Sequence, residues 1–250
     1  MQLIKREVIG RYRGSFLGLL WSFVNPVLML AIYTFVFGFV FKTRWGQGDV
    51  DQFKFALVLF TGLILFNLFS ECISRAPGLI LANINYVKKV VFPLEILPWV
   101  SLGATLFHAG INVLVLVLFM LALGQPFAWS MLYLPIIITP FLLLIMGLSW
   151  LLASIGVFIR DVGQFIGMVM TVLLFISPVF YPLTALPEPL RPYIMLNPLT
   201  LIIEQVRNTF LWGQQPDWLS LGIYSLVALL ITSVGWVWFA KTRKGFADVL

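Results

Sequence analysis

The sequence predicts an all-α integral membrane protein with six transmembrane helices, on three observations. Long uncharged runs cover roughly residues 19–41, 55–70, 98–131, 132–159, 162–186 and 218–240. A bilayer core about 30 Å thick needs roughly 20 apolar residues at about 1.5 Å of rise each, and most of these runs are long enough. Composition agrees. Of the 250 residues 61% are hydrophobic and 10% are charged, and mean hydropathy is +1.01; an ordinary soluble domain is about 25% charged. The third observation is the placement of Lys and Arg. With the N-terminus inside, the cytoplasmic side holds Lys5, Arg6, Arg11, Arg13, Arg75, Lys88, Lys89, Arg160, Lys241, Arg243 and Lys244, against Lys42, Arg44, Lys54, Arg191 and Arg207 outside. That excess places both termini in the cytoplasm. The net charge of +6 then reflects insertion and anionic lipid, not nucleic acid, because no soluble basic face exists.

With six spans little chain is left for a soluble part, so residues 1–250 read as one membrane domain. The N-terminus does not read as a secretory signal, since charge and turn residues persist to Ser15. The lone Cys72 permits no internal disulfide and no thiolate cluster, and with the single His108 it reads as a packed helix residue.

Residues 1–18 precede the spans. Met1, Ile4, Val8, Tyr12 and Phe16 recur at helical spacing with charge off that face. The pattern predicts an amphipathic helix lying in the cytoplasmic interface, either a lipid anchor or a surface that grips a soluble partner. The first span carries Asn25-Pro26 in its first turns, where Pro removes a hydrogen bond. Gly46-Gln47-Gly48 reads as an outer turn, and Trp45 and Trp129 as interface anchors. The second span ends in Glu71 and Arg75 at i,i+4 spacing, which suits a structural ion pair; an intramembrane Glu also invites a proton relay. Residues 82–95 exceed what a simple connection needs, and their Asn residues and flanking Pro93 and Pro98 predict a short cytoplasmic helix that something touches. After the fifth span, Pro178, Pro182, Pro187, Pro189, Pro192 and Pro198 punctuate a stretch that stays greasy. Residues 199–212 then read as an amphipathic helix with Glu204 and Arg207 on one side. Neither piece of 183–213 spans, so outer short helices, re-entrant or interfacial, are expected, either lining a pathway or resting on the bilayer.

No G-x-x-x-x-G-K-[ST] phosphate loop, H-E-x-x-H pair or G-x-S-x-G elbow occurs. The chain therefore reads as a non-enzyme with no catalytic residue, no metal site and no cofactor of its own. Acidic residues are nearly absent from the spans, which disfavours an ion-coupled carrier. The energy for any movement must come from elsewhere.

The segment Arg11-Tyr12-Arg13-Gly14-Ser15-Phe16-Leu17-Gly18-Leu19-Leu20-Trp21-Ser22-Phe23-Val24-Asn25-Pro26 closely resembles the opening of ABC-exporter permeases for polysaccharide and lipopolysaccharide O-antigen, a group that includes teichoic-acid exporters. Leu196-Asn197-Pro198-Leu199-Thr200 with Glu204 and Arg207 resembles a second signature of that family, and Arg160-Asp161 a third. The resemblance spans essentially the whole chain. It implies a homodimeric permease in the bacterial inner membrane, joined to two copies of a separate ATPase that binds ATP and Mg. It further implies export of a lipid-linked glycan through a channel between subunits, mainly along the first and fifth spans. On that resemblance Tyr12, Arg13, Asn85, Tyr86, Lys88 and Lys89 are candidates for ATPase coupling. Phe23, Tyr33, Phe37, Phe175 and Tyr181 are candidate channel aromatics, whose ring faces stack on sugars. Asn197, Pro198, Glu204 and Arg207 form the outer short-helix motif. A permease for drugs or small lipids, and a membrane glycosyl- or acyltransferase, are the alternative readings.

Overall fold

A computed structural model describes residues 2–36, 52–88, 92–125 and 127–250, with the side chains of Gln52 and Lys88 undescribed. The described residues form helices α1 (Gln2–Arg11), α2 (Trp21–Tyr33), α3 (Gln52–Arg75), α4 (Ile84–Lys88), α5 (Ile96–Ala122), α6 (Leu134–Phe158), α7 (Val162–Ile176), α8 (Arg191–Met195), α9 (Pro198–Phe210), α10 (Trp218–Thr242) and α11 (Phe246–Val249). Among the described residues five stretches are long and apolar enough to cross a bilayer: Gly18–Val36, Phe53–Gly78, Ile96–Ala122, Trp129–Phe158 and Trp218–Val249. The run at 162–186 yields only the 15 residues of α7, roughly 22 Å of helix. Its end is set by Pro178, which forces the preceding Ser177 into an extended conformation (ψ 146°).

The bundle is built around α3. Its apolar window is 83% buried, against 17% for α10 and 22% for the first span. Helices α2, α5, α6, α7 and α9 all pack on it. Lipid tails are as apolar as the spans, so burial alone does little to hold helices together; close approach of small residues matters more. The α6–α10 crossing depends on this. A Cβ on Gly235 would sit 2.1 Å from the Gly147 carbonyl oxygen, and one on Gly147 2.6 Å from Thr232 Cα. At the same crossing the Thr232 hydroxyl donates to the Leu143 carbonyl at 2.7 Å, and the Ser154 and Thr242 hydroxyls lie 2.7 Å apart. Gly156 likewise admits the backbone of Pro77, whose carbonyl oxygen a Cβ there would meet at 2.1 Å.

Both termini lie at one end of the bundle. Glu7 and Arg11 of α1 pair with Arg75 and Glu71 at the end of α3. Past α10, Arg243 grips both Glu95 carboxylate oxygens at 2.8 Å, just before α5, and Phe246 packs on Phe158 at the end of α6. The N-terminal helix ends at Arg11, short of the 1–18 expected, and the chain reverses through Gly14 and Gly18 (φ +86° and +51°). Its apolar face meets protein. Val8 is buried and Ile4 fills the gap left by Gly103 on α5. Phe16, counted on that face from sequence, lies beyond the helix and is fully exposed.

Candidate functional site

At the terminus-bearing end, α2, α3 and α5, with Arg11 and Tyr12, line a partly open cavity of about 540 Å³. Its three walls follow helical periodicity. On α2, Trp21, Asn25, Met29 and Tyr33 recur every four residues along the lining. On α3, the only residues between positions 55 and 73 that are not buried are Asn67, Ser70 and Glu71, one helix face, which Ser74 and Arg75 extend. On α5, His108 and Asn112 are one turn apart. The wall thus mixes amide, hydroxyl, aromatic and charged groups with the apolar side chains of Pro26, Met29, Leu63 and Ile64. Among the described residues the side chains of Asn25, Asn67 and Asn112 have no hydrogen-bond partner.

An ion network closes the terminal side of this cavity. Arg11 pairs with Glu71, Arg75 with Glu7, and Arg75 also approaches Glu71 at 3.6 Å. The i,i+4 pair expected from sequence therefore exists, and α1 doubles it. Each member is about a third exposed, so solvent screens the pairs and each contributes roughly 0.2–1 kcal/mol. Beside them the Tyr12 hydroxyl lies 3.4 Å from His108 Nδ1, with the rings edge to face. His108 Nε2 is buried and without a partner. His108 is a lining residue, not the plain packed residue expected.

The same end carries the short helix expected within 82–95. Tyr86 of α4 accepts a hydrogen bond from Arg6 at 2.8 Å, lies under its guanidinium and stacks on Phe92. Asn85 is exposed. Asn83 does not cap α4; its amide donates to the Leu79 carbonyl at 2.9 Å. Helix α11 packs against α4, so both chain ends converge on this helix.

At the far end a second cluster holds α9. Asn197 is its N-cap, accepting from the Leu199 N–H at 3.0 Å while its amide donates to the Ser177 hydroxyl at 2.8 Å. Pro198 occupies the first helical position, where its missing N–H costs nothing. The Arg207 guanidinium is 1% exposed and donates to the carbonyls of Val58 (3.0 Å), Val179 (2.9 Å) and Pro178, and to Glu204 at 3.2 Å. It stitches α9 to α3 through the chain that leaves α7. Gly62 leaves the room, since a Cβ there would fall 2.6 Å from Arg207 Nη2. At the start of α10, Asp217 accepts from the Ser220 hydroxyl and from the N–H groups of Ser220 and Leu219. Those bonds, the Ser220 hydroxyl foremost, hold its carboxyl below the usual carboxylate range.

The residues singled out from sequence fall in separate places. Tyr12 turns into the cavity and Arg13 is exposed beyond α1. Asn85 and Tyr86 lie on α4; Lys89 and the Lys88 side chain fall outside the described residues. Of the aromatics, Tyr33 lines the cavity. Phe23 and Phe175 are exposed on α2 and α7. Tyr181 donates to the Ile176 carbonyl at 2.6 Å, and Phe37 lies outside the described residues. Asn197, Pro198, Glu204 and Arg207 form one cluster, with Arg207 buried instead of on a polar face. Sequence reasoning missed Trp21, Asn67, His108 and Asn112 as cavity residues. The available signal was an amide inside each of the first three apolar runs, a costly residue to place in hydrocarbon.

These features define a polytopic helical membrane protein with a polar cavity at one end and a charged, terminus-bearing face beside it. Residues 1–211 match the ABC-2 type transporter family, and the chain belongs to that family. It is similar to the O-antigen export system permease protein RfbA of Myxococcus xanthus, 28% identical over 99% of this chain and 94% of the relative. RfbA of Klebsiella pneumoniae is 27% identical over 99% and 93%. The polysialic acid transport protein KpsM of Escherichia coli is 26% identical over 97% and 92%.

Proposed function

We propose that this chain is the membrane subunit of an ATP-driven exporter that moves a lipid-linked polysaccharide, an O-antigen or a related surface glycan, out of the cytoplasm. One observation carries the reading: full-length similarity to permeases of O-antigen and polysialic acid transport in a bundle that keeps a polar cavity among apolar helices. Two copies of the chain assemble in the inner membrane with two copies of a separate ATPase, which binds ATP and Mg. Both termini face the cytoplasm. The exposed surface of α1, α4 and α11 receives the ATPase, since Arg6, Tyr86, Glu95 and Arg243 join those elements to the ends of the spans. The outward faces of α2 and α7, with Phe23 and Phe175 exposed on them, meet the second copy and border the channel. The shortness of α7 supports a sixth crossing completed by the re-entrant return through α9, to which Asn197 joins it.

The test is surface glycan in cells lacking this gene. Loss of surface glycan with intracellular build-up of the lipid-linked form, restored by the chain together with its ATPase, is the expected result. Unchanged surface glycan in the deletion strain removes the reading.

A further inference from the structure

We propose that the cavity between α2, α3 and α5 is a saccharide-binding subsite held within a single subunit. The proposal rests on the glycan-export reading above. It adds where in one chain the sugar is gripped, and by which groups.

Three amides point the way. Asn25, Asn67 and Asn112 come from three helices, line one cavity and have no partner among the described residues. Asn25 and Asn67 are exposed to the cavity and Asn112 is half-buried in it, so their amides are free to meet an occupant with hydroxyl-like donors and acceptors. An amide offers both a donor and an acceptor, as each sugar hydroxyl does. Trp21, Tyr12 and Tyr33 add flat faces with polar edges to the same wall, the complement of a pyranose ring.

The charges argue for a neutral polyhydroxyl ligand over an anion. Arg11 and Arg75, the lining cations, are each held by a carboxylate, Glu71 or Glu7. A phosphate would have to displace these partners and approach Glu71. A sugar can instead donate to Glu71 and leave both pairs intact. Size is consistent: about 540 Å³ falls within the roughly 300–1,000 Å³ of small-molecule sites. The polar wall also contrasts with the bundle's aliphatic grooves, such as that lined by Leu144, Leu148 and Ile231, which suit lipid tails.

The experiment uses the whole transporter with its ATPase in glycan-producing cells. A photo-crosslinking phenylalanine analogue replaces Asn67 or Asn112, with Leu229, exposed on α10, as the control site. Adducts carrying the glycan ladder at positions 67 and 112 and not at 229 are expected. Separately, Asn67→Leu and Asn112→Leu, which remove polarity from a span and so favour insertion, should each lower export per assembled transporter about fivefold. That is the size of one neutral hydrogen bond. Asn67→Gln should recover part of the loss. Adducts with phospholipid alone, or normal export by both Leu variants, overturn the subsite while leaving the export reading in place. Absence of export by the parent transporter with its ATPase would instead remove the reading beneath it.

Discussion

Arg207 shows how much one buried side chain can hold. Its guanidinium serves three backbone carbonyls on two separate chain segments, in a bundle where water cannot substitute. Arg207→Met removes the donor that joins those segments and should lower stability by on the order of 3 kcal/mol. The check is the midpoint of heat-induced loss of the monodisperse gel-filtration peak in detergent. Gly62→Ala pushes a methyl to 2.6 Å from Arg207 Nη2 and should cost about 1–2 kcal/mol. In the Arg207→Met background the same change should cost almost nothing, because the clash and the lost bond share one partner. Equal costs in both backgrounds would dissociate Gly62 from the clamp.

Between elements, the α6–α10 crossing and the α1–α3 ion network behave differently. At the crossing backbone meets backbone, so no side chain can move aside for a new group. Gly235→Leu should separate the helices. Cysteines at Ser154 and Thr242, whose hydroxyls are 2.7 Å apart, should crosslink readily in the parent and poorly in the Gly235→Leu variant. The network is softer, since its pairs are partly exposed and individually weak. Its value lies in connecting the N-terminal helix to the end of the central span. Glu7→Arg or Arg75→Glu alone should therefore uncouple ATP turnover from export while leaving stability within about 1 kcal/mol. The double exchange should restore coupling. Failure of the double exchange to recover export, with assembly intact, would make these pairs mere surface charge.

For the molecule as a whole, sidedness is the property to check. Cysteines at Gln2 and Lys244, at the end where both termini lie, should resist an impermeant thiol reagent in intact cells. One at Gln214, exposed between α9 and α10, should be labelled. The reverse pattern would invert the charge-based orientation. The purified chain alone should turn over no ATP, since its sequence contains no phosphate loop; magnesium-dependent turnover by the pure subunit would contradict a divided transporter.

The membrane class was legible along the chain because it is a local sum, and the sidedness expectation is built the same way. Hydropathy over about 20 residues marks a span, and the bias of Lys and Arg between successive loops needs no three-dimensional information. The opening motif at 11–26 and the Asn197-Pro198 helix start were legible for the same reason, since a cap is decided by neighbouring residues. Where a side chain faces was not. Arg207 in an amphipathic helix pattern reads as solvated, and only the fold shows that α3 and the chain after α7 bring carbonyls around it. The N-terminal helix reads as an amphipathic interface helix, and only the fold shows that Gly103 receives Ile4. Asn25, Asn67 and Asn112 are isolated amides along the sequence, each on its own helix. Tertiary packing alone makes them one cavity, because a shared polar wall requires the rotation of three helices about their axes, and hydropathy carries no information about that rotation.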